Sequence, residues 1–380
     1  MESNRKKIIN QKYKKKYIKK NKKWNKLKNL KRIKLMFFII FIILCISIAI
    51  FFFIFKNEIY KKKIEIINKK IIMDDILKKE NGTNNTNIIE KSIIEQNDFC
   101  NNLNKYKNLE YENQIRFANI KFDNIILNMF VYKKEDIVSK SIYFNKQWEK
   151  IETKKLLNAL EYYSEKKKIK NEDIYMIDIG SNVGWYTFIF GKYGYNVISF
   201  ELSDVNNYIL NKNYCLNKEL NITLIKKGLY DSEKECDFYI SKGNIGDGWV
   251  FCNKTENIPK HLKKTGVTQL TLLSKYIPFL SNKNLALIKI DVEGSEGKVF
   301  EGGFEIISKY HVPFIFMEFT PESLKKHGTN PENFLKLFEK YGYKFSTISF
   351  YDRNFVSIDY IIQKYKRIIN LYIIYSKFIE

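Results

Sequence analysis

The sequence predicts an α/β domain, with helices on both faces of a parallel sheet, preceded by one N-terminal transmembrane helix. Two observations support this prediction. An uncharged apolar segment occupies residues 35–55, and from about residue 112 short apolar runs alternate with helical patterns. Strands that alternate with helices are typical of a parallel sheet covered on both faces. The 380 residues allow one large domain or two small ones.

Residues 35–55 form the predicted membrane anchor. As a helix these 21 residues would span roughly 31 Å, about the hydrocarbon thickness of a bilayer. A cleavable signal peptide would have a shorter apolar core, a shorter leader and small residues at its cleavage site. A buried helix of a soluble protein would not need to be apolar on every face. We therefore expect the membrane bilayer to be the partner of residues 35–55.

The charge on both sides of the anchor predicts its orientation. Residues 1–34 contain 16 Lys or Arg and one acid, whereas residues 56–70 contain six Lys and two Glu. Because the more basic flank stays in the cytosol, we expect a cytosolic N-terminus. The body would then be lumenal, in the endoplasmic reticulum or Golgi, or lie at the cell surface. Only +5 of the net charge of +24 belongs to the chain from Ile71 onward, so we expect no nucleic-acid partner.

The composition predicts five regions along the chain: a basic cytosolic tail (1–34), the anchor (35–55), a stem (56–111), the α/β domain (112–365) and a C-terminal extension (366–380). The predicted buried strands are 174–180, 196–201, 221–229, 286–294 and 312–319. Residues 148–168 are predicted to be a helix with Ile151, Leu156, Leu157, Leu160 and Tyr163 near one face. The glycine-rich residues 243–249 are interpreted as a mobile loop near the acceptor site. Cysteine spacing indicates no metal site and leaves disulfide pairing open.

The strongest local motif follows the first buried strand and opens a helix. It contains Asp178, Gly180, Asn182 and Gly184. Ligands of open α/β sheets bind at the carboxyl ends of the strands, where glycines let the backbone turn tightly. A carboxylate at Asp178 would repel a pyrophosphate but suits an ammonium group or hydroxyls. The alternative is a glycine-rich turn without a ligand.

Glu201 ends the next predicted strand, 23 residues after Asp178. An acid at this place in an α/β nucleotide site accepts hydrogen bonds from ribose hydroxyls. The alternative is an exposed acid at a strand end. Glu201 and the 178–184 loop together favour a nucleotide site.

With these residues, the chain resembles the S-adenosylmethionine-dependent methyltransferases that have a Rossmann-like seven-stranded sheet, and more narrowly the FkbM family. The second motif of the resemblance is Lys289-Ile-Asp291-Val-Glu293-Gly-Ser-Glu296. The resemblance implies S-adenosyl-L-methionine as cofactor, with its methionine and ribose part held by Asp178, Gly180, Asn182 and Gly184 and its ribose hydroxyls bound by Glu201. The family often has an aspartate at the position where this chain has Leu273, so any role of that acid is absent here.

Three acids are candidates for catalysis: Asp291, Glu293 and Glu318. Asp291 and Glu293 would point to one face if their strand continued, and Glu318 ends a later strand. Methyl transfer depends on positioning, and a hydroxyl acceptor also needs a group that takes its proton. The alternatives are a divalent-metal site and acids that cap helices or pair with lysines; we predict no metal.

The sequence therefore predicts a membrane-anchored methyltransferase that O-methylates a hydroxyl of a glycan, a lipid or a small metabolite. One alternative is a catalytically silent methyltransferase-like protein that serves as a binding or scaffold module on the membrane. Another is a nicotinamide-dependent oxidoreductase, against which the absent GxGxxG motif argues.

Overall fold

The computed structural model describes residues 88–252 and 258–380. The predicted tail and anchor, and the stem up to residue 87, lie outside these ranges. Within the described ranges, no helix is both long enough and apolar enough to cross a bilayer.

The described strands are β1 (Ile115–Phe122), β2 (Ile125–Tyr132), β3 (Ile174–Ile179), β4 (Asn196–Phe200), β5 (Ile222–Ile225), β6 (Gly228–Leu229), β7 (Lys234–Ser241), β8 (Asn244–Phe251), β9 (Leu262–Thr271), β10 (Asn284–Ile290), β11 (Phe314–Phe319), β12 (Tyr343–Ser346) and β13 (Ile369–Tyr375).

The described helices are α1 (88–101), α2 (Leu103–Tyr106), α3 (Leu109–Gln114), α4 (Ile137–Asn145), α5 (Lys150–Lys167), α6 (Trp185–Lys192), α7 (Asp204–Leu216), α8 (Ile277–Leu280), α9 (Glu296–Glu301), α10 (Glu305–Ser308), α11 (Pro321–Lys326), α12 (Pro331–Lys340), α13 (Ile358–Lys364) and α14 (Ser376–Ile379). Short 3-10 turns cover Asn171–Asp173 and Leu273–Tyr276.

A seven-stranded mixed sheet forms the centre of the domain, in the order β12-β13-β11-β10-β3-β4-β5. The five strands from β11 to β5 are parallel, whereas β13 runs antiparallel to both β11 and β12. The central strands are almost continuously apolar because helices cover both faces of the sheet. One core layer contains Leu156, Phe188 and Ile209, and the opposite layer contains Val299, Leu324 and Leu335. The α/β prediction is confirmed.

Two predicted domain boundaries are wrong. The stem was predicted to reach residue 111, but α1 packs on the domain: the Gln96 side chain donates to the carbonyl of Ile222, and Cys100 forms a disulfide with Cys215. The C-terminal extension was predicted from residue 366, but β13 lies inside the sheet between β11 and β12. The folded domain therefore begins before residue 112 and ends after residue 365.

A second sheet, in the order β6-β9-β7-β8, lies between β5 and β10 in the sequence. Residues 243–249 were interpreted as a loop, but 244–249 belong to strand β8, which pairs with β7. A disulfide between Cys236 and Cys252 joins the beginning of β7 to the residue after β8. Ile151 was predicted to share one helical face with Leu156 and Leu160, yet its side chain is exposed at the start of α5 whereas theirs are buried.

Candidate active site

A cleft of about 200 Å³ opens at the carboxyl ends of the central strands. Strand order explains its lining, because β3 lies between β4 and β10, and β10 lies beside β11. The residues that follow these four strands therefore meet at one edge of the sheet. Of the eight predicted site residues, six line the cleft: Gly180, Asn182, Glu201, Asp291, Glu293 and Glu318.

The turn after β3 brings two strand ends into direct contact. Gly180 has a φ of +77°, and a Cβ at this position would lie 1.9 Å from the carbonyl oxygen of Asp291. A side chain would therefore collide with backbone that cannot move without shifting the loop after β10. The glycine lets the two loops approach each other and leaves the cleft open between them.

Glu201 follows β4 and fixes the turn after β3. Its carboxylate accepts hydrogen bonds from the backbone amides of Asn182 and Ser203, each at 2.8 Å. Burial raises the pKa of the Glu201 carboxyl to about 7, although these amide hydrogen bonds oppose the shift. Each carboxylate oxygen can accept more than one hydrogen bond, so Glu201 can also bind hydroxyl groups of a ligand.

Asp178 and Gly184 lie behind the wall of the cleft. Asp178 is fully buried, accepts a hydrogen bond of 2.6 Å from the Thr187 hydroxyl, and lies 3.8 Å from the ammonium of Lys289. A Cβ on Gly184 would meet side chains of Leu210 and Phe188 at 2.7 Å. The two residues therefore support the turn from behind, and their predicted contact with a cofactor stays a prediction.

Lys289 is buried at the centre of the acidic groups. Its ammonium donates to the carbonyl of Gly180 at 3.2 Å and lies 3.4 Å from a carboxylate oxygen of Asp291. Burial alone would lower the pKa of Lys289, but Asp291 and Asp178 outweigh this effect and raise it. Lys289 is thus held as a cation that links the loops after β3 and β10.

The three predicted catalytic acids line the cleft but come from different elements: Asp291 and Glu293 follow β10, and Glu318 lies in β11. Strand β10 ends at Ile290, so Glu293 is placed by a left-handed turn with a φ of +56° instead of by strand alternation. Burial and the charge of Asp291 raise the pKa of Glu293 well above its usual range. The same two causes raise the pKa of Glu318 to about 8. Raised pKa values at carboxyls in a cleft are typical of catalytic sites.

Glu296 holds the loop after β10 in place. Its carboxylate accepts hydrogen bonds of 3.2 Å from the backbone amides of Val292 and Gly294. Burial raises the pKa of Glu296 to about 7, with the amide hydrogen bonds opposing. This acid lies outside the lining of the cleft and stabilises the turn that positions Glu293.

Two acids of the cleft were missed by sequence reasoning. Glu149 accepts a hydrogen bond of 2.6 Å from the Tyr186 hydroxyl, and burial raises its pKa. Asp247 reaches the cleft from β8 and faces Glu293. The only available signal for Asp247 was its position in the glycine-rich segment already placed near the acceptor.

The sheet and the cleft define the class: a Rossmann-like α/β domain with a cleft at the strand ends, where folds of this class bind nucleotide-type cofactors. Residues 178–345 match the family model described as the methyltransferase FkbM domain. Within these residues the chain matches an FkbM methyltransferase domain, as the resemblance in its sequence predicted.

The solved structures that match the chain are remote from it in sequence. WbdD is 9% identical, over 60% of this chain and 40% of that chain, with a TM-score of 0.34. The Pyrococcus abyssi tRNA (uracil-54, C5)-methyltransferase is 9% identical, over 68% and 44%, with a TM-score of 0.31. The T. thermophilus 16S rRNA N2 G1207 methyltransferase is 12% identical, over 69% and 50%, with a TM-score of 0.32. The chain thus spans 40% to 50% of the length of these structures. No curated protein sequence matches it.

The lining of the cleft fits S-adenosylmethionine. The Asn182 side-chain oxygen is buried and lacks a hydrogen-bond partner among the described residues, so it is free to accept from a ligand. Glu201 offers acceptor positions for ribose hydroxyls, and Gly180 leaves the space that a side chain would fill. Trp185 and Tyr186 add aromatic surface to the same cleft.

Proposed function

We propose that the protein is a membrane-anchored enzyme that methylates a hydroxyl group of a glycan, a lipid or a small metabolite. The observation that supports this proposal is the position of Asp291, Glu293 and Glu318, which line the same cleft as Glu201. The acceptor hydroxyl would thus find carboxyl groups beside the cofactor site.

Glu318 is the proposed general base. S-adenosylmethionine supplies a methyl group on a sulfonium when it is bound. The carboxylate of Glu318 would take the proton of the acceptor hydroxyl, while Asp291, paired with Lys289, would orient that hydroxyl. A pKa of about 8 makes Glu318 a stronger base than an exposed glutamate, since proton affinity rises with pKa.

We further propose that the N-terminus is cytosolic and that the folded domain lies on the lumenal or outer side of the membrane. The charge bias around residues 35–55 supports this orientation. The disulfides Cys100–Cys215 and Cys236–Cys252 also support it, because disulfides persist mainly in oxidising compartments.

Calorimetry of the full chain in detergent tests the proposed activity, with S-adenosylmethionine, S-adenosylhomocysteine and NAD as ligands. The first two should bind and NAD should not. Binding of NAD alone would instead indicate an oxidoreductase. Binding of S-adenosylmethionine without methyl transfer to any hydroxyl acceptor offered would favour the silent scaffold module.

Protease protection in sealed vesicles tests the topology separately. The folded domain should resist protease until detergent opens the vesicles. Digestion in intact vesicles would place it on the cytosolic side.

A further inference from the structure

One rim of the cleft consists of residues 133–151, which include α4 and the start of α5; we call it the α4 rim. Its residues Ile137, Trp148 and Glu149 line the cleft. Ile137 and Phe144 are seven residues apart on α4, two helical turns, so they lie on one face of the helix. The side chains of Ile137, Phe144 and Ile151 are 58%, 65% and 66% exposed. The rim thus presents large apolar side chains to solvent beside the entrance of the cleft.

The exposed charges of the α4 rim are almost all positive. Its exposed basic residues are Lys133, Lys134, Lys140, Lys146 and Lys150, and its one fully exposed acid is Glu135. None of these lysines forms an ion pair with any residue that the structure describes. Lys146 lies over the Tyr143 ring, 5.0 Å from its centre. Lysines without ion pairs, interspersed with exposed apolar side chains, are typical of surfaces that rest on the head-group region of a bilayer.

Arg116 adds a cation beneath the apolar part of the α4 rim. Its guanidinium carbon lies 3.6 Å from the centre of the Tyr143 ring and 5.0 Å from that of Phe144. Within the described ranges it has no carboxylate partner, and its Nε is buried without a hydrogen bond. The stacked guanidinium thus adds positive charge near the rim without a compensating acid.

We propose that the α4 rim is a docking surface for anionic head groups of the membrane leaflet that faces the folded domain. Its lysines, which have no ion-pair partners among the described residues, complement the lipid phosphates, and Ile137, Phe144 and Ile151 enter the boundary between head groups and acyl chains. A soluble acidic protein could form ion pairs with these lysines, but its binding would not require the three exposed apolar side chains. If the proposed methyltransferase function holds, the cleft faces the bilayer surface, and the acceptor hydroxyl belongs to a membrane-borne molecule.

Photocrosslinking of the full chain in nanodiscs tests this surface. A photoreactive benzoylphenylalanine replaces Phe144 in one protein and Leu216 in a control. Leu216 is an exposed apolar residue at the end of α7, and that helix runs back to the opposite edge of the sheet. Nanodiscs contain phosphatidylcholine alone or with about one third phosphatidylserine. We expect lipid adducts at position 144 with phosphatidylserine, at least roughly tenfold above those at position 216, since each basic residue near an anionic surface contributes about fivefold.

The variant Lys140→Gln/Lys146→Gln/Lys150→Gln should reduce the lipid adducts at position 144 to the level of the control. Equal adduct yields at positions 144 and 216 would overturn the proposal. So would yields that do not change with phosphatidylserine, or adducts to a second protein molecule only. S-adenosylmethionine affinity, measured on the same samples, should not change in the triple variant, because these lysines lie outside the cleft lining. Loss of cofactor binding in every sample would instead contradict the proposed function. The lipid adducts at position 144 would still test the docking surface.

Discussion

The ammonium of Lys289 lies 3.8 Å from the carboxylate of Asp178, and both side chains are almost completely removed from solvent. Lys289 also bonds to the Gly180 carbonyl and pairs with Asp291. One buried cation therefore joins the turn after β3 to the loop after β10, which contains the predicted catalytic acids Asp291 and Glu293.

Replacing Lys289 with methionine should destabilise the domain by about 3–5 kcal/mol, because Asp178 would become a buried carboxylate without a neighbouring cation. Urea denaturation measures this loss. The control Lys336→Met removes an exposed pair with Glu332 and should change the free energy of unfolding by no more than about 1 kcal/mol. Equal effects of the two changes would contradict the structural role of Lys289.

The variant Glu201→Gln should weaken S-adenosylmethionine binding by at least roughly tenfold, because a neutral amide is a weaker acceptor for ribose hydroxyls than a carboxylate. The pKa of Glu201 is about 7, so the wild-type affinity should rise as the pH increases from 6 to 8. Calorimetry at several pH values measures both effects. The affinity of the variant should be independent of pH over this range; a retained pH dependence would exclude Glu201 as its source.

The variant Glu318→Gln should lower kcat by roughly 100-fold to 10,000-fold and leave S-adenosylmethionine affinity unchanged, as expected for a lost general base. The pKa of Glu318 is about 8, so wild-type turnover should rise as the pH passes through 8. Turnover measured with an accepted hydroxyl substrate tests this. A normal rate in the variant would indicate that Asp291 or Glu293, and not Glu318, is the general base.

The variant Glu296→Gln should flatten the pH dependence of stability. Burial raises the pKa of Glu296 from its ordinary value of 4.5 to about 7 in the folded state. Its favourable contribution is therefore complete below about pH 4.5 and is lost as the pH rises towards 7. The difference in Tm between pH 5 and pH 8 should be smaller in the variant than in the wild type. The exposed control Glu332→Gln should leave that difference as it is.

Much of the site could be predicted because its residues follow buried parallel strands. Asp178, Glu201 and Glu318 each lie at or next to the end of an apolar run, and parallel strands bring their carboxyl ends to one edge. The sequence alone could not separate residues that line the cleft from those behind it. Asp178 points into the core beneath the turn, and this depends on Thr187 and Lys289, which come from other elements.

The two acids that the sequence did not predict, Glu149 and Asp247, are placed by backbone features that no local sequence pattern indicates. Glu149 has a left-handed φ of +39° before α5, where no glycine indicates a turn. Asp247 belongs to a strand whose glycines resemble a loop, and the pairing of β8 with β7 depends on the hairpin as a whole. The exposure of Ile151 follows helical periodicity: at about 100° per residue it lies roughly 140° from Leu156 and roughly 180° from Leu160, which are both buried, so the prediction assigned it to the wrong face.

The place of β13 in the sheet has a consequence for biosynthesis. This strand follows β12 in the chain, yet it lies between β11 and β12 in the sheet. During synthesis, which proceeds at about 5–20 residues per second, β11 would present an open edge until residues 369–375 have left the ribosome. Loss of these residues would divide the sheet internally, so nascent chains should depend on chaperones until β13 has been made.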